Sequence, residues 1–386
     1  MKPSTDLVQR TDAVSRDAAP LTTPIYETTT FVFDSASQVR EYNEGRSGKF
    51  LYSRYANPTV MEVEHTLAAL EGAESALVLS SGQAATTTAL LALARSGDEI
   101  VCGSAIYGGT LHLMADLLPK FGVAARFVTL EELSEPDRLC SASTRLLWFE
   151  SPINPTLRCV DVAAVAAACR ARGVISVIDN TFASPINQQP IALGVDVVMH
   201  SATKYLNGHS DVTAGVLMGS SRHLAPMLEA RKLLGTVLDP SAAYALGRGL
   251  KTLAVRMQRH NASAQAVAEW LGRDRRLHTV YYPGLPSHPD HDVARRQMRG
   301  FGGMICIDLG GGYERAARFF DRLRVFRRAA SLGGVESLCS LPVLTSQWGH
   351  SEEELQRAGV TPSMARLSVG LEDPEDLIAD LDQALA

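Results

Sequence analysis

Val174-Ile-Ser-Val-Ile-Asp179 and Val195-Asp-Val-Val-Met-His200-Ser-Ala-Thr-Lys204 are built alike: a short, mainly apolar, β-branched run that closes on a residue able to carry charge. Runs that are apolar almost throughout, with no strict alternation, fit strands buried on both faces, the condition of a parallel sheet covered by helices. The residues around them extend the pattern in both directions. SALVLS (75–80), DEIVCG (98–103) and RLLWFES (145–151) read as strands, and GQAATTTALLALA (82–94), TLHLMADLLPKFG (110–122) and VAAVAAACRARG (162–173) read as helices. Strand and helix in alternation predict an α/β fold. Right-handed crossovers then bring the strand-to-helix loops to one edge of the sheet, where ligands bind.

The flanks read differently. Residues 1–60 are rich in Thr, Ser, Tyr and Pro with weak periodicity, and predict an extended arm with one or two short strands. A helix should follow Asn57-Pro58-Thr59 and stop at Gly72. Beyond about residue 240, a long Ala/Arg helical region (246–271) leads through the turn-rich YYPGLPSHPDHD (281–292) to strand-like GGMICIDLGGG (302–312) and ARLSVGLED (365–373). The expected organisation is therefore an N-terminal arm at 1–55, a large domain at 56–245 and a smaller α/β domain at 246–386.

Composition removes several function classes. The 386 residues are 46% hydrophobic and 20% charged, with a net charge of −5, so nothing overall points to nucleic acid or an anionic membrane. No apolar run approaches the ~20 residues that span a bilayer. The first residues lack the apolar core of a secretory signal, and a cytoplasmic location is expected. The six cysteines lie at 102, 140, 159, 169, 306 and 339 without zinc spacing or a disulfide framework, and read as reduced, buried small residues. No metal site is expected. There are only six lysines, at 2, 49, 120, 204, 232 and 251. Of these, Lys204 alone closes an apolar strand. Desolvation there lowers an amine's pKa and makes it a nucleophile toward carbonyl compounds.

Other chemistry-bearing residues sit at equivalent strand ends. Ser80-Ser81-Gly82-Gln83 follows one strand and opens a helix, so its amides form either a phosphate cradle at the helix N-terminus or simply a glycine-eased turn. It is neither a Walker loop nor a G-x-G-x-x-G fingerprint. Asp179 is a strand-end acid that needs a partner, or else an N-cap for the next helix. Tyr107 follows a third strand and could stack on a ring or be a half-buried loop aromatic. Cradle, acid, lysine and aromatic on one sheet edge together call for pyridoxal 5'-phosphate. Lys204 would form the Schiff base, Asp179 would hold the pyridine nitrogen protonated, and Tyr107 would stack on the ring.

The motif His200-Ser-Ala-Thr-Lys204-Tyr-Leu-Asn-Gly-His209-Ser-Asp resembles the lysine signature of the Cys/Met-metabolism pyridoxal-phosphate enzymes: the cystathionine γ-synthases, cystathionine β- and γ-lyases, methionine γ-lyases and homoserine-ester sulfhydrylases. Tyr52-Ser-Arg54-Tyr-Ala-Asn57-Pro58-Thr59, Glu150-Ser-Pro-Ile-Asn154-Pro-Thr, Ser331-Leu-Gly-Gly-Val-Glu-Ser and Arg366-Leu-Ser-Val-Gly support the likeness, which runs over nearly the whole chain. It implies fold type I (aspartate-aminotransferase-like), with a mainly parallel, seven-stranded-type sheet and a smaller C-terminal domain. It further implies that Lys204 shuttles protons with Tyr107 assisting the transfer, and that Gly82, Gln83, Ser201 and Thr203 hold the phosphate. Arg366 would clamp the substrate carboxylate with Ser331 and Asn154. In the family, residues at the Tyr52 and Arg54 positions reach the neighbouring subunit's phosphate, which implies an active dimer usually paired into a tetramer.

The implied activity is γ-elimination or γ-replacement on a sulfur-containing or γ-substituted L-amino acid. Cystathionine β-lyase-type C–S β-elimination is the alternative, and a non-catalytic binding module is a third reading. An aminotransferase also suits the fold, but the motifs disfavour it. Three departures bear on the substrate. Ala330 stands where cystathionine-handling relatives usually carry glutamate. Gly109 stands where methionine γ-lyases often carry cysteine. Residues 344–349 replace the usual Thr-His segment.

Overall fold

Strands β1 (Ser75–Leu79), β2 (Glu99–Gly103), β3 (Ala124–Val128), β4 (Thr144–Glu150), β5 (Ile175–Asp179), β6 (Val197–His200) and β7 (Gly215–Gly219) form one sheet in the order 1-7-6-5-4-2-3. The computed structural model describes residues 2–9, 20–135 and 138–386; part of the N-terminal arm reading therefore lies outside the described residues. β2 through β6 are mutually parallel, and β7 runs antiparallel to both β1 and β6. The expected mainly parallel sheet is present. Two of its members were not marked in the sequence, for physical reasons. β3 is a partly exposed edge strand without an apolar run, and β7 is five residues bracketed by glycines.

Successive side chains of a strand face opposite ways, so both faces of β4 and β5 need cover. Leu147, Phe149 and Ile178 join the core packed by helices Pro58–Glu71, Val162–Ala171 and Pro240–Leu250. Leu146, Trp148 and Val177 join the opposite core with helices Gly82–Leu93 and Ser221–Leu234. The helix after Asn57 forms as read. The Asn57 side chain caps it by accepting from the Thr59 amide, and Gly72 closes it in the left-handed conformation at φ 75°. The segment 110–122 departs from a regular helix. Its α-turns at Gly108–His112 widen at Leu113–Leu117 and tighten at Leu118–Phe121, where Pro119 offers no N–H. In the described part of the arm, one bridge pairs Thr30 with Tyr52, and a helix at Ala36–Asn43, capped by Ser35, replaces a second strand.

A second sheet consists of β8 (Thr279–Tyr281), β9 (Met304–Asp308), β10 (Arg327–Arg328), β11 (Leu338–Ser340) and β12 (Met364–Ser368) in the order 10-11-12-9-8, all antiparallel except β10 with β11. Ile305, Ile307 and Leu367 pack with Phe319, Leu377 and Leu381 into its own core. Two contacts anchor it to the first sheet's edge: the Gly303 amide donates to the Tyr205 hydroxyl at 3.0 Å, and the Val335 amide donates to the Gly208 carbonyl at 3.0 Å. All six cysteines are buried, as expected. Among the described residues no helix is long and apolar enough to cross a membrane, and no group of three metal-ligating side chains gathers.

Candidate active site

A cavity of about 510 Å³ opens where the carboxyl ends of β4, β5 and β6 meet the loop after β1 and the start of β12. Its walls bring together Lys204, Asp179, Tyr107, Gly82, Gln83, Ser201, Thr203, Ser331, Asn154 and Arg366, that is, every sequence-predicted site residue except Tyr52 and Arg54.

The lysine side is built by two turns from different sheets. After β6 the chain turns, with the Lys204 amide donating to the Ser201 carbonyl at 3.1 Å and the Gly208 amide to the Lys204 carbonyl at 2.8 Å. The Lys204 ammonium donates to the Ser331 hydroxyl at 2.8 Å. Ser331 holds φ at 97°, a sparsely populated conformation for a side-chain-bearing residue, and this strain aims its hydroxyl at the amine. Burial lowers the Lys204 pKa to about 8; the Arg366 charge adds to the fall and Asp179 opposes it. The lysine is thus prepared to lose its proton near neutrality.

Asp179 accepts hydrogen bonds from the Thr181 amide, at 3.0 Å, and from the Thr181 hydroxyl. Burial raises its carboxyl, while the Thr181 bonds and Lys204 pull it back down. Opposite, Ser81 caps the helix Gly82–Leu93 by accepting from the Ala84 amide at 2.9 Å, which turns the helix N-terminus toward the cavity. Gly82 is required there, since an added Cβ would stand 2.9 Å from the Ser201 Cβ. The Gln83 side chain donates to the Gly109 carbonyl at 2.9 Å and leaves its own oxygen buried without a partner. Thr203 exchanges hydrogen bonds with the Ala214 main chain. Tyr107 is 53% exposed at the cavity mouth. A Cβ on Gly109 would come within 2.6 Å of the Tyr107 ring, so the absence of a side chain at 109 is what lets that ring lie where it does.

Arg366, on β12, reaches in from the second sheet. One guanidinium nitrogen donates to the Asn154 side-chain oxygen at 2.9 Å and another to the Ser331 carbonyl at 3.1 Å, while its Nε is buried without a partner. No carboxylate pairs with it among the described residues. A buried, unpaired guanidinium with a free donor is a receptor for a planar anion.

Tyr52 and Arg54 lie away from this cavity. Arg54 donates to the Lys232 carbonyl at 2.6 Å, and its guanidinium sits 4.9 Å from the Tyr55 ring centre and 5.5 Å from that of Tyr52. The cavity also contains residues to which the sequence reading gave no role. Glu150 ends an apolar strand just as Asp179 does, and that position was the available signal. Thr181 stands two residues past Asp179, the spacing of a side chain that folds back on an acid. Ala330, Thr345 and Ser346, which belong to the departures that the sequence singled out, also line the cavity.

Helix-end amides beside small hydroxyls, a buried acid with its own donors, and one depressed amine are the group types that pyridoxal 5'-phosphate requires, and the crowding at Gly82 shows a cradle made without side chains. The chain is 42% identical over 366 residues to cystathionine gamma-synthase 1, chloroplastic, of Arabidopsis thaliana, covering 95% of this chain and 65% of that protein. It therefore spans just under two thirds of that relative's length. It is also 42% identical over 367 residues to L-methionine gamma-lyase of Pseudomonas putida, covering 95% and 92% of the two chains. Cystathionine gamma-lyase from Lactobacillus plantarum, solved with L-serine, superposes with a TM-score of 0.92 at 35% identity, covering 100% of this chain and 98% of that one. The model of the Cys/Met metabolism PLP-dependent enzymes matches residues 4–386. With the site's geometry and these likenesses in agreement, the chain belongs to the Cys/Met metabolism family of enzymes, whose cofactor is pyridoxal 5'-phosphate.

Proposed function

We propose that this enzyme eliminates or replaces a substituent on Cγ of an L-amino acid, sulfur-containing or otherwise γ-substituted. The single observation that carries the reading is the Lys204 amine, depressed to about 8 and facing a buried, carboxylate-free Arg366 across one cavity. The relatives named above, gamma-synthase and gamma-lyases, support the γ position.

Each residue then has a task. Arg366, braced by Asn154 and Ser331, holds the substrate carboxylate and so fixes Cα near the lysine. Gly82 and Gln83 offer main-chain amides, and Ser201 offers its hydroxyl, to the cofactor phosphate, and Thr203 joins them by exchanging the bond that its hydroxyl donates to the Ala214 carbonyl. Asp179 would hold the pyridine nitrogen, and Tyr107, exposed at the mouth, would cover the ring. When bound, the cofactor would supply an electron sink for the negative charge that develops at the substrate Cα. Lys204 Nζ takes the Cα proton, and a further proton loss at Cβ lets the Cγ substituent leave as a thiol or carboxylate. Water then completes elimination, giving a 2-oxo acid and ammonia, or an incoming nucleophile completes replacement. The wall at Ala330, Thr345 and Ser346 carries no charge, which suits a neutral substituent. Incubation with cystathionine, methionine and homoserine esters, followed by identification of the keto acid and leaving group, tests this. The γ reading expects 2-oxobutanoate. Pyruvate from cystathionine overturns it in favour of β-elimination.

The lysine pKa sets an expected pH dependence. Below about 8 the Lys204 amine is protonated and cannot attack an aldehyde; above it the neutral form predominates. Cofactor uptake by the apoenzyme should therefore accelerate with rising pH through a midpoint near 8, measured by stopped-flow absorbance. A midpoint near the ordinary 10.5 would contradict the burial argument.

The proposed assembly is a homo-oligomer, a dimer of dimers acting in the cytoplasm, in which the arm (1–55) lends Tyr52 and Arg54 to a neighbour's cofactor phosphate. The large (56–245) and C-terminal (246–386) domains would enclose the cavity between them. Arg54→Ala should weaken cofactor retention about tenfold in the assembled oligomer, the loss of one charge-assisted contact. Equilibrium dialysis checks this, and unchanged retention would count against a shared site.

A further inference from the structure

β4 and β5 pair in parallel register with Glu150 beside Asp179, so two carboxyl groups stand next to each other at the cavity edge. They are served unequally. Asp179 has two donors from Thr181 and the charge of Lys204. Glu150 is 6% exposed and accepts the Tyr107 main-chain amide at 2.7 Å; among the described residues it has no ion pair. The titratable groups facing it are Asp179 on β5 and Cys102 on β2, with Tyr107 above and Lys204 and Arg366 across the cavity. Burial pushes the Cys102 thiol up, so it stays uncharged.

Two adjacent buried carboxylates do not both ionise readily, and the proton resides on the one with fewer donors. Burial, and secondarily the Asp179 charge, hold the Glu150 carboxyl well above the usual carboxylate range. We propose that Glu150 is a positioning residue that works as a neutral acid, fixing Tyr107 through the main chain and leaving the negative charge of this edge to Asp179. The proposal rests on the reading that Tyr107 and Asp179 face the cofactor.

Glu150→Gln and Glu150→Leu in the holoenzyme test it. The glutamine oxygen still accepts the Tyr107 amide, so Glu150→Gln should keep cofactor retention and kcat/KM within about threefold of wild type at neutral pH. Leucine leaves a buried N–H without an acceptor, and should lower kcat and cofactor retention about tenfold with a smaller change in KM. Difference infrared spectroscopy of wild type against Glu150→Gln should show the loss of one protonated carboxyl band. The proposal is overturned if Glu150→Gln is as impaired as Glu150→Leu, because a charge is then required. It is equally overturned if Glu150→Leu behaves as wild type. Should the leucine variant not fold, a spectrum without the protonated carboxyl band overturns it alone. Retention and infrared readouts need no substrate, so they judge Glu150 whether or not the γ reading stands.

Discussion

Lys204→Ala abolishes turnover while leaving the fold intact. The expected loss is about 10⁴-fold or more, because both roles proposed for Lys204, covalent partner of the cofactor and base for the Cα proton, are removed together. The other lysines cannot substitute: none of the remaining five lines the cavity. Stability should not suffer. The shift of the Lys204 pKa from 10.5 to about 8 means the charged amine is disfavoured in the native protein by about 3 kcal/mol, so apoenzyme lacking it should melt no lower than wild type at neutral pH. The sign follows from the direction of the shift. A depressed amine costs stability below its folded pKa, and that cost fades as pH rises from about 8 toward 10.5. The alanine also leaves space at the end of β6 that a small primary amine can enter, so added methylamine should restore part of the turnover, with rate following the neutral amine concentration. Steady-state assays of purified variant, with a visible spectrum and a thermal melt, check all three. Turnover like that of wild type would refute the assignment.

How far this site could be read from the chain alone depends on which interactions are local. Asp179 and Lys204 were legible because the first ends, and the second follows by one turn, a short strand of the buried sheet, where charge needs a purpose. The cradle was legible for the same reason: Ser81, Gly82 and the helix behind them are consecutive. β3 escaped because an exposed edge strand lacks the apolar run by which buried strands are recognised, and β7 because its apolar run, Val216-Leu217-Met218, is only three residues long between glycines. β10 and β11 are only two and three residues long. Glu150 escaped as a participant because its significance lies in register: the acid matters through the neighbour that β4–β5 pairing gives it. The Ser331 hydroxyl on Lys204 joins residues 127 apart in sequence, by way of a left-handed backbone that composition cannot announce. Tyr52 and Arg54 lie outside the cavity, where Arg54 bonds the Lys232 carbonyl and packs on the Tyr52 and Tyr55 rings; the shared-site role proposed for them depends on a second chain, whose surface no single sequence displays.

Arg366→Ala has the second largest expected effect, and its logic is that of a buried receptor without its anion. In the folded chain the guanidinium spends two donors on Asn154 and the Ser331 carbonyl and keeps Nε unpartnered, while burial lowers its pKa. An arriving carboxylate completes this set in a desolvated site, where truncating one member of a hydrogen-bonded charge pair costs about 3 kcal/mol, or ~10²-fold in kcat/KM. Arg366→Lys keeps the charge but not the fork. It cannot hold Asn154, Ser331 and a carboxylate together, so it should recover only part of that loss. The loss should fall mainly on KM if the clamp binds substrate and transition state alike, and on kcat if it also sets the Cα proton in line with Lys204. Ser331 links the two residues, since its carbonyl takes the Arg366 bond and its hydroxyl takes the Lys204 bond, so a share of the effect should appear in kcat. The decisive comparison uses the substrate's own charge. Wild type should discriminate strongly between an L-amino acid and its primary amide, and Arg366→Ala should lose that preference, because the group that reads the carboxylate is gone. If the variant still prefers the free acid as strongly as wild type does, another residue holds the carboxylate and the role given to Arg366 is wrong.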